Sequence, residues 1–170
     1  MMNGTLKLYS LRFSDVKTYI FAALFIVGNL LLPQLCHLTG SGGVTWLPIY
    51  FFTLVGAYKY GMRVGIITAV MSPLANYLLF GMPPEGALAG IIVKSLLLAV
   101  IAGLAAYKYK KVTLPLILAV VVGYQILGTF FEWAILKNFY LAIQDLRIGL
   151  PGIIFQIIGG YLILKITGSK

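Results

Sequence analysis

Residues Gly86–Tyr107 read GALAGIIVKSLLLAVIAGLAAY, an apolar run interrupted by a single charge at Lys94. At about 1.5 Å of rise per residue, a helix of this length reaches ~33 Å, enough to cross a hydrocarbon core of ~30 Å. Comparable runs lie on both sides of it. They predict spans at about Val16–Gln34, Thr45–Tyr58, Met62–Phe80, Gly86–Tyr107, Thr113–Leu136 and Ile148–Ile166. The second is short and opens beside Trp46 and Pro48. Two connectors carry turn-forming residues: Thr39-Gly40-Ser41-Gly42-Gly43, and Gly81-Met82-Pro83-Pro84-Glu85-Gly86. The short alternating strands of a membrane barrel are missing. The expected fold is all-α, an integral membrane bundle of six transmembrane helices in a single domain over residues 1–170.

Composition points the same way. Of 170 residues, 61% are hydrophobic and only 10% charged, with mean hydropathy +0.99; a soluble domain carries about 25% charged residues. The net charge of +9 is distributed between and beside the apolar runs rather than on a basic, aromatic-studded stripe, so nucleic acid is not an expected partner. Lys7, Arg12 and Lys17 precede the first span, Lys59 and Arg63 follow the second, Lys108, Lys110 and Lys111 follow the fourth, and Lys165 and Lys170 end the chain. With six alternating spans these all share one side, while Glu85, Lys137, Asp145 and Arg147 share the other. The positive-inside rule then places both termini in the cytoplasm. The single Cys36 excludes an intrachain disulfide framework and a CxxC knuckle. The polar N-terminal stretch shows no small-residue cleavage site, so the first run reads as a retained helix.

Ionisable side chains within spans are costly, of order 3 kcal/mol, and so face a cavity or each other. Lys94 and Glu132 both fall in the outer half, where an ion pair, a polar ligand, or both would account for them. Asn76 and Tyr77 lie at the outer end of the third span. Gln125, Gly128 or Thr129, and Glu132 share one helical face. Arg147 opens the sixth span and Gln156 lies on its glycine face. This uneven polarity predicts a pocket opening outward beneath the Gly-rich and Pro-rich loops, lined by His37, Trp46, Asn76, Lys94, Gln125, Glu132, Arg147 and Gln156. Aromatic residues near span ends, Trp46 and Trp133 among them, also fit an interfacial belt. Cys36 and His37 alone make a weak metal site, and no metal or cofactor is expected to reside in the protein. No HExxH, nucleophile-elbow or Walker A sequence is present, so the chain is not expected to be an enzyme, and any ATP-driven step would fall to another subunit.

Small residues form ridges at Gly61, Gly65 and Ala69, at Ser95, Ala99 and Gly103, and along Gly149, Gly152, Gly159 and Gly160. Such ridges allow close helix approach in lipid, within the bundle or against a partner.

Three segments carry a resemblance over essentially the whole chain: LLPQLCHLTGSGGVTWLPIY (Leu31–Tyr50), LLFGMPPEG (Leu78–Gly86) and GLPGIIFQ (Gly149–Gln156). Together with length and span count they resemble the substrate-binding S components of energy-coupling factor transporters. The resemblance implies capture of a small vitamin, vitamin precursor or modified nucleobase from outside, in the plasma membrane of a prokaryote. It implies as partners a transmembrane coupling protein and two cytosolic ATPases; Ala22 and Ala23, at the place of the family's docking ridge, join the small residues Gly61 and Gly65 as the expected docking positions. The chain departs from the pattern at two places. It reads Pro48-Ile49-Tyr50 where a second His is usual, and Ala22 and Ala23 lack small residues four positions on.

Overall fold

A computed structural model describes residues 8–38 and 42–168. Met1–Lys7, Thr39–Ser41 and Ser169–Lys170 lie outside it, and with them part of the first Gly-rich connector and the terminal charges Lys7 and Lys170. Most of the described residues are helical, with no strand among them. Five helices are long and apolar enough to cross a membrane: α1 (Val16–His37), α4 (Met62–Phe80), α5 (Glu85–Tyr109), α6 (Leu114–Leu136) and α9 (Leu150–Gly168). Their boundaries follow the sequence expectation closely except that α1 runs through Pro33 to His37.

The expected second span is broken. Helix α2 (Gly42–Trp46) stops at Leu47, which adopts the left-handed conformation at φ 45°; a 3-10 turn over Pro48–Tyr50 follows, then α3 (Phe51–Tyr60). As a ten-residue helix, α3 is only ~15 Å long, about half a hydrocarbon core. It is the centre of the bundle: every residue but Phe52, Lys59 and Tyr60 is buried, and it packs against α1, α4, α5 and α9. A short hydrophobic run that lies inside the protein rather than against lipid needs no full membrane length.

Glycines make the tight approaches. A Cβ at Gly65 would stand 2.4 Å from that of Ala57, and one at Gly152 would stand 2.4 Å from the Trp46 carbonyl. The glycine face of α9 therefore seats the corner between α2 and α3. Gly61, at φ 104°, forms the break between α3 and α4. Gly65 and Ala22 are buried in the core and Gly61 turns toward Tyr9 and Ser10. Of the four expected docking positions, Gly65 and Ala22 are buried in internal packing, Gly61 is half-buried and Ala23 is exposed.

The charges sort by end. Lys59 and Tyr60 carbonyls accept from Tyr9 and Leu11 N–H, Arg63 donates to Leu11 O, Tyr58 Oη to Lys111 O and Lys59 Nζ to Thr167 O. This ties the basic connectors into one end of the bundle. The opposite end gathers the α1–α2 region, the Pro-rich α4–α5 turn and two short helices, α7 (Phe139–Ala142) and α8 (Gln144–Arg147).

Candidate functional site

A cavity of about 520 Å³ opens at this second end. Pro33, Gln34 and His37 of α1, Val44 and the corner Leu47–Tyr50, Asn76 of α4, Met82–Pro84, Ile91 of α5, Glu132 and Leu136 of α6, and Leu141, Gln144 and Asp145 of the final connector line it. Its volume is in the range of small-molecule sites, and its walls are mainly apolar with a few polar groups, as such sites commonly are.

The most polar part of the wall is a triad. Lys94, 1% exposed, forms ion pairs with Glu132 Oε2 and, at 2.8 Å, with Asp145 Oδ2. The carboxylates line the cavity; Lys94 stands behind them and does not. Glycines create the passage: a Cβ at Gly128 would be 2.5 Å from Lys94 Cγ, and one at Gly90 would be 3.0 Å from Glu132 Oε1. Helices α5 and α6 thus carry reciprocal pairs four residues apart, Gly90 with Lys94 and Gly128 with Glu132. A buried ammonium without a counter-charge would cost several kcal/mol, so this pairing is a condition of the fold.

Beside the triad, Asn29 and Asn76 repair backbone breaks. Pro33 lacks the N–H that would reach the Asn29 carbonyl; Asn76 Nδ2 donates to that carbonyl at 2.9 Å and to Ser72 O at 3.1 Å. The Asn29 side chain donates to Thr53 and Ser72 hydroxyls and accepts from Phe52 N–H in the first turn of α3. An N–H at a helix start inside the bundle has no water to turn to, and Asn29 supplies the acceptor.

The expected site residues therefore divide. His37, Asn76 and Glu132 line the cavity, and Lys94 backs it through the ion pairs. Gln125 and Gln156 do not reach it. Both are buried on the hydroxyl of Tyr124, which donates to Gln156 Oε1 at 2.7 Å and accepts from Gln125 Nε2 at 2.9 Å. They form a structural polar seam between α6 and α9. Trp46 lies edge-on to Phe155, outside the lining. Arg147 is exposed, 3.7 Å from the Tyr140 ring centroid, and is not among the residues lining the cavity.

Sequence reading missed Asp145, Gln34, Tyr50 and Asn29. Two signals existed. Asn29 is the lone strongly polar residue in the middle of the first run and stands four before Pro33. Asp145 and Glu132 are two of the three acidic residues among the outer-side positions, available to an intramembrane lysine.

Fold and site together define a multi-pass helical membrane protein with a ligand-sized cavity at one end of its bundle. No protein-family model matches the chain, and no curated protein or solved structure shows significant similarity to it.

Proposed function

We propose that the chain is the membrane-embedded substrate-binding subunit, or S component, of an energy-coupling factor transporter. It captures a small vitamin, vitamin precursor or modified nucleobase from outside for ATP-driven uptake. In this reading the broken segment from α2 through α3 counts as the sixth crossing, both termini are cytoplasmic, and the cavity end faces outward. A coupling protein and two cytosolic ATPases complete the transporter in the plasma membrane of a prokaryote. The observation that carries the reading is the cavity's position at the end remote from the clustered lysines, with two carboxylates in its wall that both pair with Lys94 behind them. Beneath it, fully buried Leu54, Ala57, Tyr58, Val64, Leu98 and Val121 fill the bundle toward the basic end. A cavity closed beneath by buried side chains suits a capture subunit that relies on other subunits for release; a separate recess of about 560 Å³ at the basic end is lined by Leu11, Arg63, Tyr107 and Lys110 and shares no lining residue with it.

The test is extraction and mass spectrometry of the small molecule that co-purifies with the full-length protein. Reconstitution in proteoliposomes with and without the coupling protein and ATPases follows, with uptake expected only in the complete assembly. Failure to find any bound molecule, together with no uptake in either preparation, counts against the proposal. A second reading, a self-contained carrier, draws support from the broken segment, since carriers place unwound helices at their sites. Uptake by this chain alone favours it. Orientation is tested by labelling Glu85→Cys and Lys110→Cys in a Cys36→Ser background. The first is expected to react from outside and the second only after permeabilisation.

A further inference from the structure

We infer that the cavity takes a small organic cation, a protonated amine or amidine whose N–H groups are received by the Glu132 and Asp145 carboxylates. This rests on the ligand-capture reading above and narrows its substrate class. Two carboxylates share one ammonium, so with both ionised the triad carries an excess of one negative charge. Among the described residues no lysine or arginine lines the cavity to offset it; His37 is exposed, and Arg147 is held on Tyr140.

The free hydrogen-bonding atoms have the same sense. Each carboxylate gives one oxygen to Lys94, Glu132 Oε2 and Asp145 Oδ2, and the other oxygen of each accepts no hydrogen bond among the described residues. Asn76 is 2% exposed and lines the cavity. Its amide orientation is set by its partners: Asn29 O and Ser72 O are both acceptors, so the nitrogen must face them. Asn76 Oδ1 is left without a donor among the described residues. An acceptor-rich, net negative wall in a low-dielectric setting favours a cation and opposes a carboxylate or phosphate. Gln34 Nε2, buried without a partner among the described residues on another part of the lining, supplies a donor for an acceptor atom of the ligand. Between these poles Pro48, Ile49, Ile91, Leu136 and Leu141 cover an apolar body.

Saturation-transfer NMR tests the assignment. The full-length protein is placed in phosphatidylcholine nanodiscs and presented with equimolar benzamidinium, benzyl alcohol and benzoate at neutral pH. Benzamidinium is expected to give the strongest transfer and benzoate the weakest. The benzamidinium signal is expected to fall at least fivefold in Glu132→Gln and in Asp145→Asn, each of which leaves Lys94 one carboxylate. The order among the three probes in the parent protein needs no variant, so a variant that fails to fold does not compromise the test. Preference for benzoate or the alcohol, or an unchanged benzamidinium signal in both folded variants, overturns the cation assignment and leaves ligand capture standing. Absence of transfer from all three, with no co-purifying molecule, overturns both.

Discussion

Lys94 reaches its two carboxylates by lying across Gly128, whose missing side chain leaves the space that the lysine stem fills. The relationship is steric before it is electrostatic. Any Cβ at position 128 would meet Lys94 Cγ at 2.5 Å, so the ion pairs exist only because α6 is bare at that point.

Gly128→Ala is accordingly expected to destabilise the protein by about 1–3 kcal/mol, the usual cost of overpacking a close contact. At Gly123, on the same helix, an added methyl group would meet nothing within 4 Å, and Gly123→Ala is expected to be close to neutral. Thermal unfolding of both variants in the same detergent checks the contrast; equal behaviour would remove the steric argument.

Lys94→Met removes the shared counter-charge and leaves Glu132 and Asp145 facing each other. A loss of about 3–5 kcal/mol is expected, because breaking a buried pair leaves uncompensated charge. The triple variant Lys94→Met, Glu132→Gln, Asp145→Asn is expected to regain much of that stability. Denaturant titration reads both, and a triple variant no better than the single one contradicts the electrostatic account.

Asn76→Ala leaves the Asn29 carbonyl without the donor that Pro33 already denies it. The expected cost is about 1–3 kcal/mol, that of an unsatisfied buried acceptor. Pro33→Ala restores a backbone N–H at position 33, so its effect in the Asn76→Ala background is expected to be more favourable than in the parent. A double-mutant cycle measures this coupling; strict additivity would show that the two residues do not serve the same carbonyl.

Arg147→Ala is expected to leave ligand affinity within twofold of the parent, whereas Glu132→Ala weakens it at least tenfold, or about 1.4 kcal/mol. The difference follows from placement: Glu132 lines the cavity and Arg147 lies exposed on Tyr140. Titration of the co-purified molecule back onto stripped protein distinguishes them. A tenfold loss on removing Arg147 would place that residue at the ligand after all.

The site was partly legible in the sequence. An intramembrane lysine demands a counter-charge or a polar ligand, and Glu132 in the same half of the bundle was one candidate partner. Asp145 was not evident because its distance from Lys94 depends on how the α6–α9 connector folds back, and nothing local to Asp145 records that. Gln125 and Gln156 were polar in the right half of the chain, yet their helix rotation turns them onto Tyr124 rather than the cavity. Polarity within a span tells that a residue avoids lipid; it does not tell which interior surface it meets.

What residue order alone determined is the set of long apolar helices, their limits, and the sorting of basic residues to one end, because hydrocarbon length and charge cost act on each segment separately. The break at Leu47, the burial of α3, the repair of the Asn29 carbonyl and the joining of Lys94 to Asp145 were decided by tertiary structure. Each depends on which backbone comes close enough to supply a donor, a counter-charge or an empty glycine face, and that proximity arises only when the helices pack.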